Sequence, residues 1–297
     1  MNVVLTGAGG FTGRRFAELA RARGHRVVAL DADLTRPDAV RDALDAAVRS
    51  ATQDDHPSWA VVHLAAVSFV AHADPLAFYR VNVLGTLHLL QALAGQRVAP
   101  ACVLLASSAN VYGNNPHSPI AEDQPPAPVN HYGASKLAME HLARSHGAGL
   151  PLVLTRPFNY TGPGQAGQFV IPKLVSHFAR RASVVELGNL HVEREYNDID
   201  FVCESYLLLL AHARPGATYN VCTGVTHTLG DVIECLRRLT GHVLEVRTNP
   251  QFVRPDEIAR LCGDPSRLRA VWRQAGRQWP APQLLESTLA RMLAASC

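Results

Sequence analysis

In the stretch HYGASKLAMEH a tyrosine and a lysine stand four residues apart, as Tyr132 and Lys136. Four residues is about one helical turn, and the run is rich in helix formers, so the two side chains share a helical face. A free phenol has a pKa of about 10 and is almost wholly protonated at neutral pH. An ammonium one turn away favours the phenolate, and so does a bound nicotinamide cation. Three pKa units correspond to about 4 kcal/mol, within reach of two positive charges in a cleft. Such a tyrosine gives or takes the proton of a carbinol while hydride moves at the neighbouring carbon, and the lysine can also hold ribose hydroxyls. A second hydroxyl should polarise the same carbonyl. LLASSANVYG ends a strand-like run with Ser107, Ser108 and Asn110, and one of the serines is placed to do so.

A lone YxxxK is common by chance, and what gives this one weight is how the chain begins. TGAGGFTG spaces Gly7, Gly10 and Gly13 as GxxGxxG directly after a strand-like run, with Phe11 and Thr12 between the last two glycines. The first glycine permits a tight turn, the second lets backbone N–H groups approach a pyrophosphate, and the third allows close helix–strand packing. This predicts a dinucleotide, NAD(H) or NADP(H). An acidic residue at the end of the second strand would bind the adenosine ribose, and Asp31 and Asp33 compete for that role. Asp33 and Leu34 are alternatively the pair that lines the adenine pocket, and Arg14 is placed to meet a 2′-phosphate. The choice between NAD and NADP stays open, with the acidic end leaning slightly to NAD.

The elements that must position these groups follow a βαβα rhythm: NVVLTG, a helix at about 11–23, HRVVALDADL, a helix from about Pro37, AVVHLAA, a long helix, ACVLLASS, the helix of Lys136 and LPLVLTRPFN. Val/Ile/Leu-rich strands in this order predict a doubly wound parallel sheet covered on both faces. The connection after Asp31 is short, so the second and third strands are expected to be merged or abbreviated. Beyond Asn159 come a glycine-rich loop, a helix interrupted early by Pro172, a strand SVVEL, an apolar helix, a core strand ATYNVCTG, a helix capped by Thr228 and a last helix near 282–295. The expected division is a cofactor-binding domain over 1–159 with return elements near 184–224, and a smaller α/β substrate-binding lobe over 160–297. The cleft between the two should open at the carboxyl ends of the strands.

Bulk properties exclude several classes. A net charge of +3 with scattered arginines argues against nucleic acid. No apolar run approaches the ~20 residues that span a bilayer, and the start lacks the pattern of a signal peptide, so the expected location is the cytoplasm. Six widely spaced cysteines without CxxC read as reduced thiols, and fourteen histidines without HxH or HExxH predict no metal site.

With TGAGGFTG, VVHLAA, YRVNVLGTLHLL, SSANVYG, HYGASK, TRPFNYTGPGQ and RPDEI in place, essentially the whole chain resembles the extended short-chain dehydrogenase/reductase superfamily, in its nucleotide-sugar-modifying branch. The resemblance implies a Rossmann-type fold with Ser108, Tyr132 and Lys136 as catalytic triad. It also implies that Leu64, Ala65 and Ala66 line the cofactor and that Asn82 steadies the site helix. The second half is most similar to GDP-6-deoxy-4-keto-D-mannose reductases, which form GDP-D-rhamnose, through ELGNLHVEREYNDIDFV, TYNVCTG and NPQFVRPDEIARLCGD. That similarity implies Asn159 on the diphosphate or sugar, Arg194 and Arg254 on the nucleotide phosphates and ribose, and Phe169, Val170 and Lys173 bordering the base. Ser68, Asn110 and Asn189 fall on the substrate side as well. A homodimer through helices near 76–94 and 132–146 is a further implication.

Two positions depart from the pattern. Ala109-Asn110 stands where such reductases often carry Gly-Asp, and Glu195 replaces a usual Asp. The expected reaction is NAD(P)H-dependent reduction of the C4 ketone of a nucleoside-diphosphate 4-keto-6-deoxy sugar. A 4,6-dehydratase needs an Asp-Glu pair after the strand-end hydroxyl, which Ala109-Asn110 does not supply. An NAD-retaining 4-epimerase uses the same triad and is the alternative. A catalytically silent dinucleotide sensor fits poorly, because such proteins commonly lose the tyrosine or the lysine.

Overall fold

The computed structural model describes residues 1–52, 58–252, 257–280 and 284–296. Its centre is a parallel sheet of β1 (Asn2–Thr6), β2 (Arg26–Leu30), β3 (Trp59–His63), β4 (Cys102–Ala106) and β5 (Leu152–Pro157), joined at one edge by β10 (Thr218–Val221); the order is β2-β1-β3-β4-β5-β10. Successive side chains of a strand point to opposite faces, so each Val/Leu-rich strand feeds two cores. Val3, Leu5, Ala60, Val62 and Leu104 pack on one face against α1 (Phe11–Ala22) and the helices α7 (Ile199–His212) and α9 (Ser266–Gln274). Val4, Val61, Val103 and Leu105 pack on the other against α2 (Pro37–Ala51), α4 (Gly85–Ala94) and α5 (His131–His146). The strands β2 and β3 are separate, five residues each, because α2 carries the chain from one side of β1 to the other. Strand order therefore reverses at β1, and the crevice between the ends of β1 and β3 is where such sheets bind ligands.

The long helix between β3 and β4 is not uniform. A short α3 (Pro75–Ala77) runs into a π-helical stretch, Phe78–Leu84, before α4. The second half of the chain adds α6 (Val170–Ala179), α8 (Leu229–Thr240) and α10 (Leu284–Ala294), which share a separate apolar core with Val185 and Leu187 of β7 (Val184–Leu187). Pro172 does not interrupt α6. It sits in the first turn, where the amide it lacks has no intrahelical acceptor. The capping box of α8 is present, with Thr228 and Asp231 exchanging side-chain and backbone bonds.

Short parallel pairs tie this second core to the sheet. They join β6 (Tyr160–Thr161) to β9 (Asn197–Asp198), β7 to β11 (Glu245–Thr248), and β8 (Glu193–Arg194) to β12 (Arg260–Leu261). A charge cluster fastens α10 to α1: Asp200 at the start of α7 receives Arg15 Nε at 2.5 Å and Arg291 Nη1 at 2.8 Å. No helix among the described residues is long and apolar enough to cross a membrane. Cys102, Cys203, Cys222, Cys235 and Cys262 are buried free thiols.

Candidate active site

A cleft of about 770 Å³ opens over the carboxyl ends of β1, β3, β4 and β5 and extends between the two apolar cores. Gly7, Gly10, Phe11, Thr12 and Gly13 form its floor at the end of β1. Gly7 has φ +70°, and a Cβ there would stand 2.6 Å from the Ala65 nitrogen, so backbone meets backbone at the switch between β1 and β3. At Gly13 a Cβ would lie 2.0 Å from the Gly7 carbonyl oxygen, the close helix–strand approach that the spacing predicts. Gly10 caps α1 with no side-chain partner, and no acidic residue occupies the first turn. A helix N-terminus so left fits a pyrophosphate. Thr12 shares a 2.9 Å hydrogen bond with the Tyr160 hydroxyl, and Phe11 stacks on the Tyr160 ring, which fixes the turn to β6.

The chemical groups stand above this floor. Ser108 follows β4 and Tyr132 opens α5, where Asn130 caps the helix by accepting from the Gly133 N–H. Both line the cleft together with Lys136. Ser108 also holds Asn110, whose main-chain and side-chain nitrogens each donate to its Oγ at 3.2 Å. Burial pushes the Tyr132 phenol up from its ordinary value, and a hydrogen bond with Ser108 opposes the rise. This differs from the expected depression by Lys136. The lysine is itself buried and lowered to about 8, and its Nζ donates to the Ala106 carbonyl at 2.7 Å. One turn further along α5, Glu140 receives Arg156 of β5 through two bonds, Nε at 2.9 Å and Nη2 at 2.7 Å. Arg156 Nη1 continues to the Tyr112 hydroxyl at 2.9 Å, so α5 is fastened to β5 and to the loop after β4 through a buried ion pair.

A second buried polar path holds the other side of the site. The Ala65 N–H donates to Thr6 Oγ1 at 3.2 Å, and Thr6 Oγ1 lies 2.7 Å from His63 Nδ1. His63 Nε2 is 2.9 Å from Thr86 Oγ1, which donates to the Asn82 carbonyl at 2.8 Å. With that hydroxyl proton committed, His63 carries its proton on Nε2 and accepts at Nδ1, so the ring is neutral. Burial, with the Lys136 charge, lowers its pKa to about 3. Asn82 then brackets Val67 with two hydrogen bonds and donates to Ser135 Oγ, which donates to the Tyr132 carbonyl at 2.8 Å. Asn82 is buried in the π-helical stretch and does not line the cleft; it acts on the loop 64–67 and on α5.

Several expected cofactor contacts are placed differently. Asp33 turns its carboxylate to the Thr35 N–H and hydroxyl, at 2.9 and 2.7 Å, closing a local turn. Leu34 is buried against Gly85, and its carbonyl lies 2.8 Å from His88 Nδ1, so its side chain belongs to the core. Ala65 supports Gly7 from behind while Leu64 and Ala66 line the cleft. Asp31 is exposed, one residue past the Thr6–Leu30 pair and so level with Gly7, outside the cleft lining. Arg14 is also exposed, and its Nη1 donates to the Gly9 carbonyl at 2.5 Å.

On the substrate side, Ser68, Asn110, Asn159, Phe169, Val170, Lys173, Asn189 and Arg194 all line the cleft. The Asn159 carbonyl is held by Asn197, through its N–H at 2.9 Å and Nδ2 at 3.2 Å, while the exposed residue faces the cleft. Arg194 Nη1 donates to the Glu193 carbonyl at 2.8 Å. Arg254 lies outside the described residues. Glu195 is buried and anchors loops: it accepts from the Gly263, Thr223 and Gly224 N–H groups at 2.7, 2.8 and 3.2 Å, and burial raises it to about 7. Sequence reasoning missed Tyr160, Glu186 and Phe252 on the same walls. Tyr160 directly follows Asn159 and could have been found. Glu186 and Phe252 carry no local signal, because they meet only through the pairing of β7 with β11.

The pattern of glycine turn, strand-end serine and Tyr–Lys helix has close parallels. Over 276 residues the chain is 34% identical to the GDP-6-deoxy-D-talose 4-dehydrogenase of Aggregatibacter actinomycetemcomitans, covering 91% of each protein. It is 38% identical over 220 residues to the GDP-6-deoxy-D-mannose reductase of Pseudomonas aeruginosa, covering 70% of this chain and 72% of that one. The structure of RMD from Pseudomonas aeruginosa complexed with NADPH superposes with TM-score 0.86 at 31% identity, over 99% and 98% of the two chains. The family model of NAD dependent epimerases/dehydratases matches residues 3–222, well over half of the sequence. The chain belongs to the NAD dependent epimerase/dehydratase family.

Proposed function

We propose that this NAD(P)-dependent nucleotide-sugar oxidoreductase reduces the C4 ketone of a GDP-linked 4-keto-6-deoxy hexose. The observation that carries the reading is the Ser108–Tyr132–Lys136 group standing in the cleft beside the glycine turn. When bound, the dihydronicotinamide would supply hydride to C4. Tyr132 gives its phenolic proton to the oxygen as the carbonyl electron pair moves onto it, and Ser108 orients that oxygen. A phenol raised by burial keeps the proton that reduction consumes. Lys136 holds the nicotinamide ribose, and its charge stabilises the phenolate left after proton transfer. Gly7, Gly10, Phe11, Thr12, Gly13, Leu64 and Ala66 bind the dinucleotide, with Asp31 at the adenosine ribose.

Residues 1–159 with the return of 184–224 act as the cofactor domain, and 160–297 as the lobe that grips the nucleotide sugar. Asn159, Arg194 and Arg254 take the diphosphate. Two chains pair through the helices near 76–94 and 132–146, where Leu76 and Leu84 are exposed, and the enzyme works in the cytoplasm. The test is absorbance at 340 nm on mixing the chain with NADH or NADPH and GDP-4-keto-6-deoxy-mannose, with the dTDP-linked ketosugar alongside. Stoichiometric loss of signal with the GDP sugar is expected. No loss with either sugar, together with NAD released on denaturation, would point to the 4-epimerase instead.

A further inference from the structure

At the end of the cleft away from Tyr132, the walls come from the second core. Lys173 of α6 donates from Nζ to the main-chain carbonyl of Glu186 at 2.7 Å, and the ammonium lies 4.5 Å from the Phe252 ring centre. The lysine is thus held beside Glu186 without neutralising its carboxylate. Asn249 Nδ2 donates to Glu186 Oε2 at 2.9 Å. Among the described residues no hydrogen bond reaches Glu186 Oε1, and the neighbouring Arg247 is engaged by both oxygens of Glu245. Glu186 is exposed on the cleft wall and nothing in the hydride-transfer chemistry uses it. Phe169, set edge-on to Phe69 at 5.7 Å between ring centres, offers an apolar surface for a planar ring on the same wall.

A carboxylate and an ammonium on one cleft wall make a selective receptor among bases. Guanine carries two adjacent donors, N1–H and N2–H, next to the O6 acceptor. A carboxylate accepts both donors with its two oxygens, and Oε2 keeps capacity beyond the Asn249 bond. Uracil and thymine present one imide N–H between two carbonyl oxygens, so the second carboxylate oxygen meets another acceptor. Adenine presents an acceptor at N1 where guanine presents a donor. We infer that Glu186 is the residue that selects guanine, accepting N1–H and N2–H while Lys173 faces O6. The inference rests on the nucleoside-diphosphate sugar reading above and adds the base discriminator to it.

The test is calorimetric binding of GDP, IDP, UDP and dTDP to the full chain carrying its dinucleotide, as wild type and as Glu186→Gln. IDP lacks only the N2 amino group. Wild type should bind GDP about tenfold to a hundredfold more tightly than UDP or dTDP, the range of a two-point base contact, and measurably more tightly than IDP. Glu186→Gln should lose about tenfold for GDP, leave UDP and dTDP unchanged, and erase the gap between GDP and IDP. A merely structural role would weaken all four nucleotides together. A GDP-to-UDP ratio unchanged in Glu186→Gln overturns the assignment of Glu186 and leaves the nucleotide-sugar reading standing. Failure of wild type to bind any of the four overturns both.

Discussion

The two ends of the cleft are built on different terms. Around Tyr132 the supporting groups are buried and held by hydrogen bonds: Lys136 by Ala106, Glu140 by two bonds from Arg156, and the Tyr132 carbonyl by Ser135. Around Glu186 the carboxylate is exposed on a strand of four residues paired with another of the same length, and a single side-chain hydrogen bond, from Asn249, holds it. Proton transfer is the same for any sugar on this scaffold and tolerates little displacement, so its frame is rigid. The relatives act on sugars carried by different nucleotides, and the inferred base contact at Glu186 rests on a side chain that can be exchanged without disturbing a core. On the proposed reading, the contrast separates what makes the reaction run from what decides which molecule undergoes it.

Substitutions at the rigid end should break rate or fold, and those at the far end should move affinity. The largest effect is expected from Tyr132→Phe: turnover should fall by about 10²–10⁴-fold while dinucleotide affinity, followed by fluorescence titration, stays near wild type. Turnover close to wild type in this variant would remove the tyrosine from the chemistry. Glu140→Gln leaves Arg156 buried without its counter-charge, and breaking such pairs costs about 3–5 kcal/mol. Its urea midpoint should drop sharply, and an unchanged midpoint would mean the pair does not hold α5.

The His63 path makes a prediction in pH. The folded pKa of about 3 lies below the unfolded value near 6.5. The unfolded chain therefore binds more protons in that interval, and stability should be full above about pH 6.5 and decline as pH falls towards 3. Replacing His63 by Asn, which can still accept and donate, should flatten that part of the stability curve against pH; an equally steep curve in the variant would assign the acid lability elsewhere. The smallest effect belongs to the far end. Arg194→Ala should raise KM for the nucleotide sugar about tenfold, the scale of one lost charge-assisted contact, with kcat little changed. A fall in kcat at constant KM would place Arg194 at the reacting carbon instead.

The rigid end is also the end that could be read from the sequence. Glycine spacing, strand-end serine and Tyr–Lys spacing are local patterns, each dictated by one turn or one helix, so they survive without knowledge of the fold. Asp33 shows the limit of that reading: an acidic residue after β2 looks available until its carboxylate is found closing a turn with Thr35. Leu34 shows the same limit, since only tertiary packing shows its side chain drawn against Gly85. The resemblance names Arg194, which lines the cleft, but nothing local names Glu186, because the pairing of β7 with β11 that brings it beside Asn249 joins segments some sixty residues apart. The His63 relay spans β1, β3 and α4, and no window of the sequence contains it.

The π-helical stretch at Phe78–Leu84 has a consequence for chain length rather than chemistry. A π turn holds one more residue than an α turn needs, and such stretches correspond to single-residue insertions. Deleting Leu84 would let the helix close into regular α geometry and repair its ladder. The residues after it would keep their place, because the Gly85 N–H, which now reaches back five residues to the Arg80 carbonyl, would make the same bond across four. Gly85 would stay against Leu34, where a side chain does not fit, and Thr86 would stay beside His63. The extra residue is thus absorbed within the turn that presents Asn82 to Val67 and Ser135, and any disturbance from the deletion would fall on those contacts and not on the helix that follows.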